Sequence, residues 1–145
     1  VSRATLGNRH PHTLSSINNL GTLLLAKGDL AAAEPLFREA LEVSRATLGN
    51  RHPHTLSSIN NLGTVLHAKG DLAAAEPLYR EALEVSRATL GNRHPATLNS
   101  IRNLGALLQD KGDLGAARRM LREATFERIL VTLVASYGVR GYPPR

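Results

Sequence analysis

The sequence predicts an all-α fold, a solenoid of stacked antiparallel helix pairs, on three observations. The chain repeats itself every 42 residues, each copy carries apolar residues at helical spacing, and each helical stretch is bounded by residues that start or stop helices. Residues 1–42 and 43–84 differ at three positions only: Leu23 against Val65, Leu25 against His67, and Phe37 against Tyr79. A third copy beginning at Val85 keeps 28 of the next 40 residues, and after Ala124 the pattern stops.

Taken in order, residues 1–10 read as the end of a preceding helix B and its linker, so a longer parent array is expected. Repeat 1 spans 11–52. Its helix A is predicted at about 11–27, where Leu14, Ile17, Leu20 and Leu24 draw one apolar stripe. Pro11 suits a first helical position, because its missing N–H has no intrahelical partner there, and Gly28 ends the helix. Asp29 then caps helix B, predicted at about 30–48, with Ala33, Phe37, Ala40 and Leu41 on one face and Gly49 as its stop. So short a connection makes an antiparallel hairpin. Pro35 falls in the second turn of helix B, where a proline costs about 3 kcal/mol. A continuous, kinked helix is still predicted, because Asp29 is a good cap, Glu34 a poor one, and residues 31–33 are all alanine.

Repeat 2 spans 53–94, with helices at about 53–69 and 72–90. Repeat 3 spans 95–124, with helices at about 95–111 and 114–124. Arg119 replaces the proline there, so a straighter helix is expected. Residues 125–145 form a divergent helical extension and tail, with Phe126, Leu130, Leu133 and Tyr137 at helical spacing before Gly138 and Pro143. One hairpin cannot bury both of its faces, whereas stacked copies share a continuous core.

The net charge of +6 is not spread evenly. Residues 1–42 hold four basic and four acidic residues, residues 43–84 the same, and residues 85–145 ten and four. This basic end lacks interleaved aromatics and any nucleic-acid motif, so nucleic acid ranks third among the readings. With no cysteine there is neither a disulfide nor a thiolate metal site. The longest apolar run, 129–135, is far short of the roughly 20 residues a membrane helix needs, and no signal sequence opens the chain. A cytoplasmic protein with no membrane contact is the expectation.

The residues Ile17-x-x-Leu20-Gly21-x-x-Leu24, followed by Ala33-x-x-x-Phe37 and Ala40, resemble the tetratricopeptide repeat pattern. The resemblance recurs at Ile59, Leu62, Gly63, Leu66, Ala75, Tyr79 and Ala82, and again at Ile101, Leu104, Gly105, Leu108, Ala117, Leu121 and Ala124. Isoleucine stands where the family often has tryptophan, and the closing proline is missing. The 42-residue unit and its Gly-Asn-Arg-His-Pro link look like the repeats of kinesin light chains. The resemblance implies a right-handed superhelix that binds other polypeptides along a concave groove lined by helices A. It implies neither a cofactor nor catalysis.

On that groove the resemblance places Asn18, Asn19, Asn60, Asn61, Arg102 and Asn103. Asparagine is a mediocre helix former, so five of them mid-helix call for a reason. Two readings stand: amides that pair with the backbone of an extended peptide, each offering donor and acceptor, or amides that bond between neighbouring repeats. Family members that grip chaperone tails carry a lysine and an arginine at groove positions held here by Asn18, Asn99 and Asn103, which excludes that ligand class. His10, His12, His52, His54 and His94 stand at helix starts, spaced for capping or surface roles rather than for a metal. The acids of helix B, Glu34, Glu39 and Glu42, read as solvated charge. A second expectation is self-association through the solenoid ends, as a twofold dimer rather than an open filament, because the non-repeating tail interrupts the stacking register.

Overall fold

The structure is a computed structural model and describes residues 11–137. The readings of residues 1–10 and of the tail from Gly138, with His10 among them, lie outside the described residues, as do the side chains of His12, Leu130, Leu133 and Tyr137. Among the described residues there are helices and turns only: α1 (Pro11–Ala26), α2 (Leu30–Leu48), α3 (Pro53–Ala68), α4 (Leu72–Leu90), α5 (Pro95–Asp110) and α6 (Leu114–Tyr137). The predicted continuation of the last helix past Ala124 is therefore present.

Each A-to-B turn is closed by the same three residues. The N–H of Gly28 donates to Leu25 O at 3.0 Å and that of Asp29 to Leu24 O at 2.9 Å, which satisfies the last carbonyls of α1. This arrangement needs a left-handed residue, and Gly28 supplies it with φ +83°. Asp29 then turns its carboxylate on the next helix and accepts from Ala32 N at 3.2 Å. One aspartate thus finishes one helix and starts another, which is why the connection is so short. Helices A end one residue earlier than expected: Lys69 keeps its bond to Val65 O but leaves helical geometry at ψ −9°.

The B-to-A link uses different chemistry. Thr55 donates its hydroxyl to Gly49 O at 2.7 Å, and His52 Nδ1 accepts from His54 N at 3.1 Å. Thr97 and His94 repeat both bonds. The histidine spacing is thus used for capping at His52 and His94.

Pro35 and Pro77 lie within continuous helices, on exposed turns. Burial of Ala33 and Phe37 on either side outweighs the missing backbone bond. The helices of a hairpin approach closely at Gly21, where an added Cβ would lie 2.7 Å from Phe37 Cε1. Gly63 meets Tyr79 in the same way, and Gly105 meets the smaller Leu121 at 3.0 Å. Phe37 and Tyr79 are fully enclosed, and one core runs from Ala33 through Ile59, Val65, Tyr79 and Ile101 to Ala124. Every helix packs on the ones before and after it in sequence, the contact pattern of a helical solenoid.

Candidate interaction surface

The two rows of helices are not equivalent. α1 approaches α3 and α3 approaches α5, whereas α2, α4 and α6 do not approach one another to the same distance. The row of helices A is the tighter side of the stack.

On this side, Asn18 and Asn60 occupy the same place in successive repeats and are half-buried. Each has its carboxamide oxygen enclosed and without a hydrogen-bond partner. Thr22 and Thr64, one turn on, donate their hydroxyls to the backbone carbonyls of Asn18 and Asn60 at 2.8 Å. Asn19 is exposed, while Asn61 and Asn103 are half-buried. Among the described residues, no hydrogen bond joins these five amides to a neighbouring repeat. Arg102, at the third position of the Asn18 and Asn60 series, is exposed and donates to Asn99 Oδ1 at 3.0 Å. Beside Asn18 the surface dips into a cavity of about 290 Å³ between α1, α2 and the start of α3, lined by Leu14, Ser15, Ser44, Leu48, His52 and His54 among others.

One polar cluster on this side was not anticipated. His67 Nε2 lies 2.5 Å from Asp110 Oδ2 and so links α3 to α5 across the row. The Tyr79 ring meets His67 edge-on, with the hydroxyl 3.5 Å from both His67 Nδ1 and Thr64 Oγ1. Burial raises the Tyr79 phenol above its usual value, so the cluster holds a neutral hydroxyl. The signal was present: two of the three positions that distinguish repeats 1 and 2 are His67 and Tyr79, and they touch. Asp110 replaces Ala68 in the third copy.

A correction concerns helix B. Glu34 is not solvated charge: Lys69 of the next repeat donates to it at 2.7 Å and Arg38 at 2.9 Å. Those bonds, Lys69 first, hold its carboxyl below the usual range, and Lys111 and Arg80 do the same for Glu76. Arg45 grips Glu81 through two bonds at 2.6 and 2.7 Å, which raises the guanidinium further, and Arg87 donates one bond to Glu123 at the next boundary. These pairs span 35 or 36 residues, because they join different faces of adjacent units. A register of 42 does not reveal them.

The Tetratricopeptide repeat family model matches residues 1–46, 13–88 and 55–125. The chain belongs to the tetratricopeptide repeat family. Proteins of this family mediate protein–protein interaction and are typically scaffolds rather than enzymes. Among solved structures, the nearly identical TPR-like repeats of a kinesin light chain-type protein from Podosopora anserina superpose with a TM-score of 0.80 at 25% identity, over 90% of this chain and 62% of that one. BtubC from P. vanneervenii gives 0.82 at 23% identity, over 99% and 56%. The TPR domain of Arabidopsis FLU gives 0.72 at 18%, over 81% and 95%. The last two establish the fold alone. The chain thus spans about six-tenths of the length of the kinesin light chain-type structures it matches. No curated protein matches it.

Among the described residues no helix is long and apolar enough to cross a membrane, and no group of three histidines or acids is placed to hold a metal ion.

Proposed function

We propose that this tetratricopeptide array is a cytoplasmic polypeptide-binding scaffold without catalytic activity, whose ligand lies extended across α1, α3 and α5. Its contacts are Asn18, Asn19, Asn60, Asn61, Arg102 and Asn103. The observation that carries this reading is the recurrence of half-buried asparagines at the same place in successive repeats, Asn18 and Asn60, on the tighter side of the stack. Their oxygens are enclosed, so the amide N–H groups are what each offers a ligand, donating to its backbone carbonyls. Three helices at about 8–10 Å spacing span some 30 Å, room for roughly eight extended residues. Arg102 puts positive charge at the C-terminal end of the row, where an acidic ligand residue fits.

An unbiased peptide array identifies the ligand, and a double variant tests the site. Asn18→Ala with Asn60→Ala should weaken binding at least about tenfold while thermal stability holds or rises, since the change deletes two unsatisfied acceptors. Arg102→Asn should flatten the salt dependence of binding. Parent-like affinity in the asparagine double variant would remove the ladder as a contact surface.

A second reading rests on Phe126 and Ile129, which are 61% and 54% exposed on the non-repeating part of α6. Pairing of two such faces closes a twofold dimer. Light scattering over a concentration series should show a dimer for the intact chain and none for a chain truncated after Ala124. A monomer in both sinks this reading. Nucleic acid has no comparable support.

A further inference from the structure

Pro35, Arg38 and Glu42 lie on one outward line of α2, at spacings of three and four, and Pro77, Arg80 and Glu84 on the same line of α4. All six are exposed, although α4 belongs to the middle unit and has another unit stacked on either side. Exposure along this line therefore belongs to the fold and does not depend on where the stack ends. On α6 the line reads Arg119, Arg122 and Phe126, all exposed, Phe126 to 61%. Arg38 and Arg80 are neutralised from one turn back, donating to Glu34 at 2.9 Å and to Glu76 at 2.8 Å. Arg122 has Arg118 at that place, a like charge instead of an acid. Glu123, one turn beyond Arg119, is taken by Arg87, and among the described residues no acid pairs with Arg118, Arg119 or Arg122. Residues 1–10 and 138–145 hold four arginines and no acid, so neither segment can neutralise the line. Arg80 and Glu84 also edge a groove of about 590 Å³ between α4 and α6, lined by the apolar side chains of Leu83, Leu104 and Met120.

We propose that Arg119, Arg122 and Phe126 form a second interaction surface, on the outer side of α6, for an acidic segment of a partner polypeptide that carries an apolar side chain among its acids. Charge complementarity carries the choice of acid, because carboxylates are what the other outward arginines already hold and what these two lack. Phe126 supplies the apolar contact. Glu42 and Glu84 stand at its place in the earlier repeats and would repel the same ligand, so the third repeat alone offers the surface. The exchange of proline and glutamate for arginine and phenylalanine is also a change toward the residue types that interfaces concentrate. From Arg119 to Phe126 the helix rises about 10 Å, the reach of roughly three extended ligand residues. A polypeptide fits this better than nucleic acid, since so short a line meets few phosphates, or than a bilayer, to which Phe126 and Ile129 offer little apolar area. Pairing with a second copy through Phe126 and Ile129 covers the ring but brings no acid to the arginines, because residues 128–137 hold none. The two uses of Phe126 therefore compete. A further repeat, packing as α5 packs on α4, would meet the side of α6 that carries Arg118 and Thr125, the places of Glu76 and Leu83, and leave this line open. The surface is separate from the row of asparagines on helices A and does not rest on it.

The probe is a labelled peptide of four glutamates, one phenylalanine and four more glutamates, titrated against the full chain by fluorescence anisotropy. Saturable binding is expected. Arg119→Gln with Arg122→Gln should weaken it at least about tenfold, and Phe126→Glu several-fold, with melting temperatures that hold or rise because all three positions are exposed. Lys27→Gln with Arg51→Gln removes the same charge from exposed sites elsewhere and should weaken binding less than about twofold. A probe with serine in place of the phenylalanine should bind several-fold less tightly to the parent and no less tightly to the Phe126→Glu chain. Three results overturn the proposal. The first is no saturable binding. The second is equal loss in the two charge-matched double variants, which would mean diffuse attraction to a basic chain. The third is tighter binding of a labelled oligothymidine, or of vesicles rich in phosphatidylserine, abolished by Arg119→Gln with Arg122→Gln, which would assign the surface to nucleic acid or to a membrane.

Discussion

Repeats 1 and 2 carry the same residues at all but three positions, yet they bury them differently. Leu20 stands about half in water while Leu62, its twin, is enclosed, and Leu23 and Val65 differ more sharply still. Ile17 and Ile59 are both buried, as are Phe37 and Tyr79. The contrast separates two kinds of apolar residue within one stripe. Some are covered by the helix of their own hairpin and are buried in any copy. Others are covered only by the preceding unit, so their burial belongs to the position in the stack rather than to the local sequence.

The sharpest way to break this comparison is to truncate the twins. Leu62→Ala leaves a cavity between α2 and α3 and should cost about 2–5 kcal/mol by urea denaturation. Leu20→Ala should stay within about 1 kcal/mol, because much of that side chain is already hydrated. Equal losses would mean that Leu20 is covered in solution, and the distinction between repeats 1 and 2 would fall.

The same distinction sets what was legible in the sequence. Helix positions were readable to within a residue because Asp29, Gly28 and Gly49 act locally, and the close approach at Gly21 was readable because Phe37 sits a fixed distance along the same hairpin. Pro35 argued against a continuous helix on propensity alone, and tertiary packing of Ala33 and Phe37 overrode it. Contacts between units were much less legible. Glu34 looked solvated because its lysine is 35 residues away, and His67 meets Asp110 across 43, neither at the repeat distance. Such pairings depend on how one hairpin is rotated against the next, which no single unit encodes. The asparagines were visible as an anomaly of composition. That Asn18 and Asn60 hold an unpartnered oxygen, while Asn19 lies in the open, needed the packing around them.

The smaller test concerns how the boundaries between units are fastened. Glu34 and Glu76 bridge each boundary to Lys69 and Lys111, and the third copy has Arg118 at that place and so offers no acceptor. Both carboxyls are held below the ordinary value of 4.5, first by the lysine bond and then by Arg38 or Arg80. A carboxylate whose folded value is depressed binds protons more readily when the chain unfolds. Its contribution to stability is therefore complete above about pH 4.5 and is lost as the pH falls through the folded value. Because these groups are near the surface, each pair contributes on the scale of about 0.2–1 kcal/mol, and salt weakens it. Glu34→Gln with Glu76→Gln should lower the melting temperature by a few degrees near neutral pH. As the pH falls below 4.5 and then through the depressed folded value, the difference between variant and parent should shrink, since protonation then removes the same charges from the parent. A pH-independent gap would assign the loss to packing of the two side chains rather than to their charge, and these two lysine–glutamate pairs would then do nothing to fasten the boundaries.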